Sequence, residues 1–202
     1  DQHGLLDLPL PRLRGRHQHA NAATAIATIR HAGISVPDEA FEAAMTRVSW
    51  PGRMERLKAG RLSALVPSAA EIWIDGGHNP GAGQVIAEAM ANLEERDPRP
   101  LFLITGMINT KDPVGYFEAF SGIARHVFTV PVPGSDAGVD PEFLADTADE
   151  AGLTAESAPS VEAAIAAITG NWNALERPPR ILVGGSLYLL GHVLAENGTV
   201  SQ

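Results

Sequence analysis

Cysteine is absent from the 202 residues. No disulfide can staple the fold and no thiolate can serve as nucleophile or metal ligand, which fits a reducing compartment and a cytoplasmic location. Lysine is nearly absent, with Lys58 and Lys111 the two examples. No apolar run reaches the roughly 18 residues of a membrane-spanning helix. The opening Asp-Gln-His-Gly lacks a secretory signal pattern and the chain does not begin with Met, so it reads as a fragment or a processed piece. A G-x-x-x-x-G-K-[S/T] phosphate loop is also missing.

What is present suffices for one full domain and part of a second, with 45% hydrophobic residues to bury. The net charge of −9 argues against a general nucleic-acid binder, and no membrane partner is expected. The charge is uneven. Residues 1–66 hold nine Lys/Arg and six Asp/Glu, whereas residues 67–202 hold six and 18. An acidic chain that binds an anion must therefore concentrate its few cations locally.

Along the chain, Leu8-Pro9-Leu10-Pro11 reads as extended, because two prolines two apart exclude helix. Helices are expected over 18–32, where Ala22, Ala23, Ile26 and Ile29 recur at helical spacing, and over 38–47, with Phe41, Ala44 and Met45 inward. Trp50-Pro51-Gly52-Arg53 breaks the pattern and suggests a domain boundary. Strands follow at 62–66, 71–75, 101–105, 126–132 and 153–156, and residues 180–186 read as a last strand and turn. They alternate with helices at 81–94, 113–122, 141–151, 160–170 and 187–197. The loop 133–139, with two glycines, reads as mobile. Alternation of this kind predicts an α/β fold, a Rossmann-like and mostly parallel sheet with helices on both faces.

The stretch of greatest chemical interest is 71–84, Glu-Ile-Trp-Ile-Asp-Gly-Gly-His-Asn-Pro-Gly-Ala-Gly-Gln. It reads as strand, glycine turn and helix start, a junction that lies at the carboxyl edge of an open sheet, where ligands bind. Helix-start N–H groups favour an anion. Asp75 is placed to accept hydrogen bonds from a hydroxyl-bearing ligand such as a ribose, while His78 and Asn79 can donate. Each candidate also has a structural alternative. Asp75 could cap the helix that follows, Ser186 could cap the last helix, and Asp112 could cap the helix after Lys111. Asn21 could satisfy backbone at a helix start, and Arg53 could pair with Glu55 or Glu71. No histidine pair joins a nearby carboxylate in a metal pattern, so no metal site is expected here.

Six blocks in order resemble the folylpolyglutamate synthase/dihydrofolate synthase family of the Mur ligase superfamily. They are Leu8-Pro9-Leu10-Pro11; Gly15-Arg16-His17-Gln18 with Asn21-Ala22-Ala23-Thr24-Ala25; Trp50-Pro51-Gly52-Arg53-Met54-Glu55; Asp75-Gly76-Gly77-His78-Asn79-Pro80; Gly106-Met107 with Lys111-Asp112; and Gly184-Gly185-Ser186-Leu187-Tyr188. One departure is Gly77, where the family usually has Ala; glycine is expected to loosen the turn while keeping its backbone donors. The resemblance covers only the end of the family's ATPase domain, residues 1–48, and its whole C-terminal domain, residues 49–202. It implies ATP-dependent ligation of L-glutamate to dihydropteroate or a reduced folate through an acyl phosphate, with ATP and Mg2+ as cofactors and the metal ligands upstream. It further implies Asn21 at the adenine edge, Arg53 as a phosphate cation, Asp75 at the ribose and His78 near the phosphates. Lys111 and Ser186 would receive glutamate or the acyl phosphate, Lys111 with a catalytic part alongside Arg53. The parent is expected to be a monomer, and the isolated chain inactive and prone to self-association through residues 1–48. Other Mur-type ligases, and a stand-alone nucleotide-binding module, are the alternatives.

Overall fold

A computed structural model describes residues 4–109, 112–170, 172–173 and 176–199. The chain divides into two compact units, Asp1–Arg53 and Met54–Gln202. In the first, helices α1 (His17–His31) and α2 (Asp38–Arg47) follow an extended segment, and the Arg12 amide donates to Met45 O at 2.8 Å. Phe41 and Met45 of α2 are buried as expected but Ala44 is exposed, and Gln18 is the buried residue of α1. Leu5, Leu10, Ile34 and Trp50 are exposed, and an open groove runs between residues 4–11 and the Ala22/Ala23/Ile26 face of α1.

The second unit is a six-stranded sheet, with strands β1 (Glu55–Arg56), β2 (Glu71–Asp75), β3 (Leu101–Thr105), β4 (Ala124–Thr129), β5 (Ala155–Ser157) and β6 (Arg180–Gly184) in the order β1-β2-β6-β3-β4-β5. All neighbours are parallel except β1 with β2. Among the described residues four helices connect strands β2 to β6, namely α3 (Pro80–Arg96), α4 (Pro113–Glu118), α5 (Pro141–Glu150) and α6 (Val161–Gly170), and α7 (Leu187–Glu196) follows β6. Strand side chains alternate between faces. Ile72, Ile74, Ile104, Ile181 and Val183 pack with α6 and α7. Trp73, Leu101, Leu103 and Leu182 pack with α3, α4 and α5. Both faces are thus covered, which is why the central strands read as continuous apolar runs.

Residues 62–66 are not a strand. Leu62 is fully buried, but Ser63–Leu65 form a 3-10 turn. The cause is Asn197 at the end of α7, whose Oδ1 accepts from the Leu62 and Ser63 amides and whose Nδ2 donates to Lys58 O. Those amides, committed to a side chain, cannot join a ladder. The edge strand forms instead at Glu55–Arg56. The loop 133–139 is also tied down: the Asn109 and Val139 amides donate to Ala137 O and Met107 O, and Ile108 bridges Gly138.

At the amino end of the sheet, the fully buried Arg180 binds Glu71 Oε2 at 3.1 Å and Asp97 O at 3.2 Å. Glu71 also accepts from Trp73 Nε1 and pairs with Arg56. Burial pushes the Glu71 carboxyl up, but these partners outweigh it and hold it below its ordinary 4.5. A depressed carboxylate contributes stability above its unfolded value, which is lost as pH falls through the folded value. Glu71→Gln should therefore cost about 1–3 kcal/mol at pH 7, and the gap to wild type should narrow as pH drops below about 4.5. Thermal melts from pH 7 to 3 test this; a gap that widens on acidification contradicts it.

Candidate functional site

β2 and β6 are hydrogen-bonded neighbours whose last residues, Asp75 and Gly184, are in register, and Thr105 of β3 aligns with Gly184 on the other side. The helix after β2 packs on one face and the helix after β6 on the opposite face. Chains that leave adjacent parallel strands toward opposite faces open a crevice at their carboxyl ends, the usual ligand position in such sheets. Each of the three strands runs directly into glycine or ends on it: Gly76-Gly77, Gly184-Gly185 and Gly106. Gly185 has φ +93, a backbone shape that disfavours any side chain.

Asp75 closes the edge from below. It is 4% exposed, and its Oδ2 accepts from the Met54 amide at 2.8 Å while Oδ1 accepts from the Gly77 amide at 2.7 Å. A buried carboxylate requires such donors. The bond to Met54 spans 21 residues and supports a non-glycine residue at φ +44, a conformation that costs about 1–2 kcal/mol. Asp75 is not the cap of α3. Asn79 is, with Oδ1 accepting from Ala82 N at 2.9 Å and Pro80 in the first turn. Nor does Gly77 loosen the turn. A Cβ there would stand 2.5 Å from Ile86 Cδ1 and 2.9 Å from Ala82 Cβ, so the position is crowded and its amide fixed.

His78 is half-buried, and its Nδ1 lies 3.0 Å from Gly76 O. A carbonyl only accepts, so Nδ1 carries the proton and Nε2 is left to meet a ligand, as acceptor when neutral or donor when protonated. Ser186 caps α7, its Oγ accepting from Tyr188 N at 3.1 Å, and is itself 3% exposed. Asp112 caps α4 by accepting from Gly115 N. Lys111 lies outside the described residues. In the first unit, Asn21 does not cap α1; it is exposed and its Nδ2 donates to Gln18 Oε1 at 3.2 Å. Arg53 ends that unit. Glu71, considered as its partner, is engaged by Arg56 and Arg180. Asp75, His78 and Ser186 therefore share one sheet edge. Sequence reading attached no role to Gly184 or Tyr116. Among the described residues, no group of three or more His, Asp or Glu is arranged to hold a metal ion.

Residues 52–186 match the Mur ligase glutamate ligase domain. The chain belongs to that family. It is 32% identical over 149 residues to a dihydrofolate synthase/folylpolyglutamate synthase of Mycobacterium tuberculosis, covering 71% of this chain and 28% of that protein. It is 27% identical over 195 residues to the Escherichia coli protein of the same name, covering 96% and 41%. The fold superposes on M. tuberculosis folylpolyglutamate synthase complexed with ADP and AMPPCP, with a TM-score of 0.76 and 25% identity over 98% of this chain and 43% of that one. It also superposes on E. coli FolC in complex with DHPP and ADP, with a TM-score of 0.73 and 26% identity over 96% and 42%. The chain thus spans about two fifths or less of the curated relatives it matches.

The glycines at the strand ends are tightly used. A Cβ on Gly184 would stand 2.9 Å from Asp75 O and 3.1 Å from the Tyr116 hydroxyl. Gly184→Ala should destabilise by about 1–3 kcal/mol through overpacking, where an unhindered strand position would gain from alanine. Urea denaturation checks this; unchanged or raised stability would show that the edge has slack.

Proposed function

We propose that the protein carrying this chain joins L-glutamate to dihydropteroate, to tetrahydrofolate or to both, using ATP and an acyl-phosphate intermediate. The observation that carries this reading is the glutamate ligase domain match over 52–186, together with relatives and solved neighbours of the folate branch. The neighbours' ADP and AMPPCP support ATP as the cofactor, and we place Mg2+ with it as the counter-ion that ATP-dependent phosphoryl transfer uses. On this reading residues 1–48 are the end of a central ATP-binding domain and 49–202 the C-terminal domain. The phosphate loop and the Mg2+ ligands then lie outside the 202 residues, and this chain alone is inactive. The exposed apolar side chains of residues 4–50 support self-association of the isolated chain.

The chemistry asks the protein for positioning and cations rather than covalent help. Arg53, with a planar guanidinium suited to phosphate oxygens, is assigned to the transferred phosphoryl. His78 presents Nε2 to the nucleotide near its phosphates, and Asn21 offers an amide to the adenine edge. Asp75 is assigned to the ribose, from whose hydroxyls a carboxylate can accept hydrogen bonds. Lys111 and Ser186 are assigned to glutamate or the acyl phosphate. Ser186 already uses its oxygen as an acceptor for Tyr188 N and has its O–H proton left to donate.

A substrate panel on the whole protein decides the class. Dihydropteroate or tetrahydrofolate with L-glutamate and ATP should give glutamylated product and ADP, while a muramyl nucleotide should give none. Turnover of the muramyl nucleotide alone overturns the folate reading, and micromolar ATP binding by the 202-residue chain in calorimetry would favour a stand-alone nucleotide-binding module. In the active protein, Arg53→Lys should lower kcat about a hundredfold, because an ammonium cannot reproduce bidentate contact with a developing phosphoryl charge. A loss smaller than about threefold would remove Arg53 from the phosphoryl site.

A further inference from the structure

Tyr116 lies in α4, 1% exposed, with the rings of Phe117 and Phe120 centred 5.8 and 5.2 Å away. Two glycines on other elements make room for it. A Cβ on Gly83 of α3 would stand 2.9 Å from Tyr116 O and 3.2 Å from its ring carbon Cδ2. A Cβ on Gly184 of β6 would stand 3.1 Å from its hydroxyl oxygen. The backbone of Tyr116 is thus pressed on α3 while its phenol reaches the end of β6, and Asp75 is the register partner of Gly184. Side chains at 71, 73 and 75 of β2 point to one face, and Trp73 shows that face to be the one that α4 covers. Tyr116 and Asp75 therefore lie on the same side of the sheet, both beside Gly184. Burial first, and the Asp75 charge second, raise the phenol well above its usual 10.

We propose that Tyr116 is a positioning residue whose phenol closes the inner side of the Asp75 carboxylate, keeps water from it, and so holds it on the Met54 and Gly77 amides. The consequence for a bound nucleotide rests on the ligase reading; the brace itself does not. The physical need is plain. A carboxylate is a strong acceptor, and water admitted beside it competes with the two amides it organises. Phenylalanine at 116 keeps the ring but leaves a polar gap about the size of one oxygen next to a charge, where a water has a partner. The same helix starts at the Asp112 cap, one turn before Tyr116.

The test is amide hydrogen exchange by NMR on the 202-residue chain, with Tyr116→Phe and Tyr116→Leu beside wild type. In Tyr116→Phe the Met54 and Gly77 amides should exchange about tenfold faster, while Leu103 and Ile104 in the centre of β3 stay at their wild-type rates. Tyr116→Leu, which removes the wall as well as the hydroxyl, should speed the same two amides further. Wild-type rates at Met54 and Gly77 in Tyr116→Phe overturn the proposal, and so does an acceleration shared equally by the β3 amides, which is the mark of a residue that only supports the core. In the whole ligase, Tyr116→Phe should raise KM for ATP several-fold with kcat nearly unchanged; an unchanged KM overturns the link to the nucleotide. A wild-type protein without ligase activity sinks the functional reading and leaves the exchange result to stand by itself.

Discussion

The Asp75 carboxylate is the constraint on which the edge of this sheet depends. It sits at the last position of β2 with almost no exposure, and it holds an amide from 21 residues upstream and another from two residues downstream. Charge-assisted bonds of this kind contribute about 1.5–3 kcal/mol each, and an unpartnered buried carboxylate would cost more than either. The upstream bond holds Met54 in a left-handed conformation and starts β1 against β2. The downstream bond sets the Gly77 amide and so the path into α3. One side chain thereby fixes the backbone on both sides of the second strand.

The architecture turns that local constraint into a ligand position. β6 lies between β2 and β3, yet its helix leaves to the opposite face from both neighbouring connections. The helices that follow the three central strands thus diverge at their carboxyl ends, where Asp75, Thr105 and Gly184 are themselves buried. Two helix starts, capped by Asn79 and Ser186, flank that edge, and their amides give it a positive bias. Glycine at the strand ends is then a requirement of space: Gly184 and Gly185 both sit where a Cβ would strike backbone or the Tyr116 hydroxyl.

Much of this was legible in the sequence, for identifiable reasons. β2 and β3 were read with their observed bounds because strands buried on both faces leave unbroken apolar runs. Helix starts at Pro80, Pro113 and Pro141 were marked by a capping Asn or Asp followed by proline. The Ser186 and Asp112 caps were foreseen as alternatives, and both are present. The supposed strand at 62–66 failed because its amides belong to Asn197, some 135 residues away, and no local pattern encodes that bond. The alternative in which Asp75 caps α3 fails for a related reason. A carboxylate ending a strand and an amide four residues later are both good caps, and the distant claim of Met54 on Asp75 leaves the role to Asn79. The part played by Tyr116 is invisible in one dimension, since it depends on glycines at 83 and 184.

Charge distribution bears most directly on how such an edge could handle a nucleotide. Residues 67–202 hold six Lys/Arg against 18 Asp/Glu. Of those cations, Arg180 is spent at the amino end of the sheet on Glu71, Glu94 and Asp97; Arg99 and Arg177 also pair with Asp97, and Arg125 pairs with Glu176. Arg61, just upstream, is shared between Glu162 and Glu196. Arginines bound to carboxylates at the opposite end of the strands cannot neutralise phosphates at the carboxyl edge, where the field of a unit charge is in any case screened over about 10 Å. Helix N-termini offer only about half a charge each. On the proposed function, the unit built on the sheet can orient a nucleotide through Asp75 and His78, but most of the charge that a polyphosphate demands has to come from Arg53, Lys111 and residues outside this chain. On that proposal an acidic domain serves phosphoryl chemistry by supplying shape and fixed amides, with Lys111 as its own cation and the remaining charge brought by Arg53 and residues outside this chain.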